Sequence, residues 1–482
     1  VRANLPALIT LAVYAAVLIG VSYRASQRVQ AEAGTFLLGG RALGPLVSGL
    51  AYAASSSSAW VLLGYSGFVY AAGPSALWMI PGILGGYAAV WLFAGPVLQR
   101  ASREEGHLTL TSLLTAGAGP GTARAIRIAA SGMIAFSFSY YIASQFQGAG
   151  IALDDLFGTG LAGGIILGAA IILAYTMAGG FLAVSLINTL QGLVMMVVAI
   201  MLPVAALLSA GGIAGISEAL EAAPAAYRDA SGGRAGWVAA GFVTGLMATG
   251  FGALGQPHLI SWIMAARDTR ARVTGAGVAI GWGAVVYAGM AVLGLSARAL
   301  LGPEAPAEGV FFRLAGELLP GILAGIVAAA ILSAIMSTVD SQLLVASGAI
   351  SHDLGAARLC GGRTVLATRI AMAGLSAAAA ALTLALPATI FERTLFAWTA
   401  LGASFGPVVV ARAMGWRPGG LSVLAAILSG FGVSLAYEFG LDAGPGAVLA
   451  RTLPWVAGGL ALGLGAFFTY RAQKRLGAAP GL

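Results

Sequence analysis

The sequence predicts an all-α integral membrane protein of about thirteen transmembrane helices. Three observations lead there. Hydrophobic residues make up 59% of the chain and charged residues only 9%, against roughly 25% charged in a soluble domain, and the mean hydropathy is +0.92. Glycine, at 71 of 482 residues, is about twice its usual share of roughly 7%, as suits helices whose backbones approach closely in lipid. Apolar runs of about 20 residues, the length needed to span a bilayer, recur along the whole chain.

The expected spans, in order, are 5–24, 42–71, 75–98, 122–152, 158–178, 182–210, 236–264, 273–300, 321–350, 364–387, 390–413, 418–437 and 447–470. The first follows Arg2 and could be read as a signal peptide. Its long apolar run, and Arg24, Arg28 and Arg41 after it, favour a retained helix. Connections on alternate sides divide the basic residues unevenly, 18 of the 25 Lys and Arg on one side and 7 on the other. The positive-inside rule then places the N-terminus outside and the C-terminus, with Arg471, Lys474 and Arg475, in the cytoplasm of a plasma-membrane protein. Acids such as Asp154, Asp155, Glu218, Glu221, Glu304 and Glu308 fall in the outer loops. The longest connections, 99–121 and 211–235, leave no room for a soluble domain.

Several chemistries are excluded. The net charge of +8 is scattered through loops with no basic face, so nucleic acid is not expected as a partner. Cys360 is the single cysteine, which rules out an intramolecular disulfide. His107, His258 and His352 lack metal-ligand spacing, and His258, after Pro257, reads as structural. No phosphate-binding loop is present, so a nucleotide-driven pump is not expected. A channel or membrane enzyme would need a charged filter or a catalytic constellation, and neither is found.

Three spans are interrupted. The second carries "AASSSSAW" (53–60), the seventh "ATGFGALGQPH" (248–258), and the ninth "SAIMSTVDSQLL" (333–344). A broken membrane helix exposes carbonyls and amides, tolerated only where they line a cavity or bind something. Spans 2 and 7 lie five apart, as the first helices of two inverted five-helix halves would. The expected organisation is 1–34 (first span and loop), 35–235 (first half), 236–413 (second half) and 414–482 (two closing helices and a tail). Serines in a span can also simply bond to neighbouring backbone.

"LLGGRALGPLVSGLAYAASSSSAWVLLGYSGFVYAAG" (37–73) resembles the start of the sodium/solute symporter family, most closely its sodium/proline branch. "YTMAGGFLAVSLINTLQG" (175–192), "GQPHLISWIMAARD" (255–268), "MSTVDSQLLVASGAISHDL" (336–354) and "ASFGPVVV" (403–410) resemble it in the same order and spacing. The resemblance implies a leucine-transporter (LeuT) fold and sodium-driven uptake of a small organic solute, an amino acid such as proline or a related zwitterion. A proton-coupled or mixed-ion carrier of another solute, or a sensor-like relative, remains the alternative. The partners are the solute, sodium and the bilayer, and no enzyme activity is expected.

The family's sodium site carries over to backbone oxygens of Ala54, Ser57 and Ala334 and to hydroxyls of Ser337 and Thr338. Its chemistry is sound, because a hard cation takes oxygen ligands and positions 334, 337, 338 and 341 share one helix face. Proline-carrying relatives have a tryptophan and a tyrosine where this chain has Thr249 and Ala253, which implies a roomier pocket. Other wall candidates are Ser58, Trp60, Tyr141, Gln145, Phe251 and Gln256. Asp340 is the one acid deep inside a span, and such a carboxylate needs a cation, a proton or hydrogen-bonding partners. Family members often have a carboxylate at the position of Asn188, and some bind an additional sodium nearby. Asp340 with Asn188 and Ser341 is therefore a second ion site, a proton carrier, or the cap of a polar cluster with Ser337.

Overall fold

The computed structural model describes residues 5–26, 33–386, 389–440 and 449–475; Arg2 and Arg28 lie outside them. Helix α1 is Leu5–Ser26, and α2 runs Pro45–Ala59, Trp60–Tyr65 and Ser66–Ala72. Helix α3 follows as Met79–Ala88, Ala89–Ala94 and Gly95–Arg103, and α4 is Pro120–Phe157. One long helix, Leu161–Ser209, holds α5 (161–179) and α6 (Gly180–Ser209). Helix α7 runs Gly236–Phe251, Gly252–Gly255 and Pro257–Met264, and α8 is Thr269–Leu301. The remaining spans are α9 (Gly321–Asp353), α10 (Thr364–Ala385), α11 (Ile390–Ala413), α12 (Gly420–Phe439) and α13 (Leu449–Arg475). Among the described residues the only β pairing is the single bridge between Leu43 and Ala266.

Nine helices among the described residues are long and apolar enough to cross a membrane. One of these, Pro45–Arg103, contains both expected spans 2 and 3, folded back at Gly73 (φ 65°). A Cβ there would come within 2.4 Å of the Tyr227 carbonyl. Three shorter apolar stretches, Ile9–Val21, Leu161–Ala174 and Thr452–Phe467, fall on expected spans 1, 5 and 13. The connection expected between spans 5 and 6 is no loop. It is one residue, Gly180, at φ 59° and ψ −173° inside an otherwise continuous helix.

Helix ends follow local chemistry. Pro45 and Pro120 open α2 and α4 after glycine, where a missing N–H costs nothing. Asp268 caps α8 by accepting the Ala271 N–H at 2.6 Å. Thr389 and Glu392 form a reciprocal capping box that starts α11.

Burial orders the bundle. The most apolar stretch of α11 is 94% buried and that of α9 is 78%, whereas those of α10 and α12 are 33%. Helices α9 and α11 therefore form the interior, and α10 and α12 the perimeter. Exposed apolar side chains such as Ile166, Ile171, Val197, Ile200 and Val204 on α5 and α6 present an apolar surface suited to lipid.

Lipid tails give helices no hydrophobic reason to associate, so close backbone packing has to do it. Helices α3 and α7 show how near they come. A Cβ on Gly86 would lie 2.0 Å from the Gly250 carbonyl, and one on Gly250 would lie 1.8 Å from the Gly82 carbonyl. Gly86→Ala is therefore expected to lower stability by roughly 1–3 kcal/mol or more through overpacking. Gly132→Ala, in a helix with nothing within 4 Å of the new carbon, is expected to be neutral or mildly stabilising. Thermal melts of both variants in one detergent check the pair; equal melting points would contradict the packing account.

Candidate functional site

The serine run breaks α2 at one residue. Ser58 sits at φ 44° and ψ −179°, a conformation that costs a non-glycine residue on the order of 1–3 kcal/mol. The backbone groups freed by the break are satisfied from nearby. Gln145 of α4 accepts the Ala59 N–H through Oε1 at 2.9 Å, and the Ser58 hydroxyl accepts the Trp60 N–H at 3.0 Å. The Tyr141 hydroxyl donates to Ser58 Oγ at 3.4 Å. Gln145 is anchored by donating from Nε2 to Ser144 Oγ at 3.0 Å, and Ser144 meets Thr394 of α11 at 2.9 Å. Helix α7 breaks at Gly252–Gly255, with Gln256 extended at φ −86° and ψ 108°. The Gln256 Nε2 donates to the Trp398 carbonyl at 2.9 Å.

Helix α9 lays two hydroxyls against the α2 break. The Ser337 hydroxyl reaches the carbonyls of Ala54 and Ala334, both at 3.2 Å. The Thr338 hydroxyl reaches Ser55 and Ala334 carbonyls, both at 3.1 Å. Each hydroxyl donates in this arrangement and can rotate to offer a lone pair to a cation instead. Four of the five expected residues (Ala54, Ala334, Ser337 and Thr338) are thus together. Ser57 differs: its carbonyl takes the Trp60 N–H, its Oγ is buried with no hydrogen-bond partner among the described residues, and the Ser55 carbonyl meets Thr338.

Asp340 is fully buried. The Asn188 Nδ2 donates toward Asp340 Oδ1 at 3.3 Å, Ser55 Oγ at 3.0 Å and the Ser337 carbonyl at 3.1 Å. Its Oδ1 is buried with no protein partner among the described residues. Ser341 donates back to the Ser337 and Thr338 carbonyls at 3.0 and 2.9 Å, so its proton serves its own helix. Sequence reasoning missed Ser55, and also Tyr14 of α1, whose hydroxyl bonds to Ser333 Oγ. The spacing of Ser333, Ser337 and Asp340 along one face was the available signal.

Beside the break lies a cavity of about 10 Å³ lined by Ser56, Trp60, Ile83, Tyr87, Thr249, Tyr287, Thr394, Leu395 and Trp398. That is room for about one water. Of the expected wall residues, Trp60 and Thr249 line it. Ser58, Tyr141, Gln145 and Gln256 support the breaks, Ala253 is buried outside the wall, and Phe251 is 41% exposed. The room expected beside Thr249 is filled from α11: the Trp398 Nε1 donates to the Thr249 carbonyl at 2.7 Å. No contiguous sequence signal announces Tyr87, Tyr287 or Trp398, because tertiary packing brings them in. Trp60 stacks on Phe391 at 5.9 Å and Phe391 on Phe68 at 5.1 Å. Glu308 accepts the Phe391 N–H at 3.1 Å, and its burial in the connection between α8 and α9 pushes its carboxyl pKa up.

Residues 36–422 match the Sodium:solute symporter family. The chain belongs to that family. It is a membrane carrier that couples movement of a solute to sodium, and not an enzyme. It is 32% identical over 441 residues to the sodium/proline symporter of Escherichia coli strain K12, covering 88% of this chain and 86% of that one. It is 29% identical over 385 residues to the high-affinity proline transporter PutP of Bacillus subtilis strain 168, covering 78% and 80%. In fold it is similar to a substrate-bound, outward-open sodium-coupled sialic acid symporter, with TM-score 0.78 at 16% identity over 96% of this chain and 98% of that one. The closed form of the nucleobase-cation-symport transporter Mhp1 is similar at TM-score 0.57 and 14% identity, over 91% and 95%. The architecture is that of the LeuT fold.

Gln145→Leu would leave the Ala59 N–H buried and unpartnered. The expected loss is about 1–3 kcal/mol, read as a lower melting temperature of the purified carrier. An unchanged melting temperature would mean that Gln145 does not hold the break.

Proposed function

We propose that this carrier takes up proline, or a zwitterion of similar size, together with sodium across the plasma membrane, with its N-terminus outside and its C-terminus in the cytoplasm. The single observation that carries the reading is the pair of α9 hydroxyls, Ser337 and Thr338, set against the carbonyls of Ala54 and Ser55 at the α2 break. With the Ala334 carbonyl and Ser57 they supply a charge-free oxygen shell suited to a monovalent cation. The relatives named as a high-affinity proline transporter and a sodium/proline symporter support the solute. The cavity wall holds no charged side chain among the described residues, so the two charges of a zwitterion would be met by helix-end dipoles at the breaks. Residues 35–235 and 236–413 would act as the two inverted halves, with 1–34 and 414–482 flanking them.

Uptake of labelled proline into proteoliposomes under an imposed sodium gradient tests this. Sodium-driven accumulation supports it; proline uptake that ignores the gradient, or no uptake while another zwitterion accumulates, overturns the solute or the coupling. Thr338→Ala should raise the sodium concentration for half-maximal uptake by tenfold or so, the effect of losing about 1.4 kcal/mol of ligation, and Thr338→Ser should be milder. An unchanged sodium dependence in Thr338→Ala would remove Thr338 from the site.

Asp340 and Asn188 would form a second cation position, with the carboxylate on α9 where relatives carry it on α6. The unpartnered Asn188 Oδ1 and the adjoining Ser337 carbonyl support that reading. Asp340→Asn is then expected to flatten the sodium Hill slope or alter the pH profile of uptake, and Asn188→Asp in that background to restore part of it. An identical slope and profile at normal protein level would leave Asp340 a purely structural role.

A further inference from the structure

The end of α3 and the connection from α7 to α8 enclose a cavity of about 590 Å³ lined by Arg100, Arg103, Arg267 and Arg272. Two carboxylates, Glu104 and Asp268, share the lining, and both are already engaged. Asp268 caps α8 through the Ala271 N–H at 2.6 Å and meets Arg267 at 3.3 Å, while Glu104 faces Arg100 at 3.9 Å. The other two arginines make their hydrogen bonds to neutral oxygens, and Asp268 acts on Arg103 only through longer-range charge attraction. Arg272, only 6% exposed, donates to the Trp91 carbonyl at 2.9 Å and to Gln99 Oε1 at 3.3 Å. Arg103 donates to the carbonyls of Arg41 and Ala266 at 3.1 and 3.4 Å. Neither has a carboxylate within 4.0 Å among the described residues.

Topology alone does not ask for this. An exposed arginine such as Arg103 biases orientation as well as a buried one, whereas burying the Arg272 guanidinium with no carboxylate within hydrogen-bond reach is costly. Each guanidinium carries five N–H donors in a planar fork that matches phosphate oxygens. The adjoining surface is apolar: Leu92 and Phe93 on α3 are 47% and 45% exposed, and Val273 in the first turn of α8 is 48% exposed. Phe93 precedes Arg100 by seven residues, roughly 10 Å along a helix. A ligand seated here would meet charge at one end and hydrocarbon at the other.

We propose that this cavity binds the phosphate of an anionic phospholipid, with Arg103 and Arg272 on the phosphate and the acyl chains along Leu92, Phe93 and Val273. Basic pockets beside membrane helices suit such head groups. The bound lipid ties the end of α3 to the start of α8. Its assignment to the cytoplasmic leaflet rests on the orientation proposed above, but the test reads lipid retention and not transport, so the two readings fail separately.

Wild type, Arg103→Gln and Arg103→Gln/Arg272→Gln are compared in phosphatidylcholine nanodiscs with and without phosphatidylglycerol, and in detergent with inorganic phosphate. Retained lipid is read by native mass spectrometry and stability by thermal melt. Phosphatidylglycerol is expected to stay bound to wild type and raise its melting temperature, with affinity falling about fivefold per arginine removed. The single variant keeps the buried Arg272 contacts and so reports even if the double variant folds poorly. Wild-type retention by the single variant, or no preference of wild type for phosphatidylglycerol, would overturn the proposal. Equal protection by inorganic phosphate with nothing added by the lipid would also overturn it, in favour of a free anion.

Discussion

A helix cannot stop inside a membrane without leaving N–H and C=O groups bare in a medium that offers them no water. Everything at the centre of this carrier depends on how that constraint is met at two places. At the α2 break, Gln145 and the Ser58 hydroxyl take the amides of Ala59 and Trp60. At the α7 break, Gln256 and Trp398 exchange bonds across to α11, Gln256 donating to the Trp398 carbonyl and Trp398 to that of Thr249. Side chains therefore take amides at the α2 break and a carbonyl at the α7 break, while carbonyls of Ala54 and Ser55 face the hydroxyls of α9. Polarity is retained where it can bind an ion and covered elsewhere.

The same short segment borders both proposed sites. Ser55 offers its carbonyl to Thr338 and its hydroxyl to Asn188, while Ser56, the next residue, lines the cavity beside the break and meets the Tyr87 hydroxyl. Successive residues of a helix point in different directions, so Ser55 and Ser56 face different neighbours from one stretch of chain. If both proposed sites are used, a shift of the Ser55–Ser58 backbone at one would be felt at the other through covalent geometry. The close glycine contacts between α3 and α7 leave little slack to absorb it.

Much of this was legible in the sequence, and the residues show why. Hydropathy marks the spans because lipid demands long apolar runs, and Ser, Gly and Pro clusters mark the breaks because they disfavour continuous helix. Ala334, Ser337 and Thr338 could be grouped because one helical face is a local property. The Gly180 kink was hidden, since a single glycine carries no span-length signal and its positive φ is set by its surroundings. The solute wall was legible only in part. Trp60 and Thr249 belong to the broken helices, but Tyr87, Tyr287 and Trp398 arrive from α3, α8 and α11, and Phe251 turns outward. Which face of an unbroken helix meets the cavity is decided by packing, not by periodicity.

The cavity beside Trp60 has space for about one water, and Trp60 in its wall continues into a stack of aromatic rings with Phe391 and Phe68. Proton hopping needs an unbroken file of waters, and an ion slipping through needs a hydrated corridor. A cavity of this size holds neither, so at this point of the bundle a gradient would not be short-circuited through it.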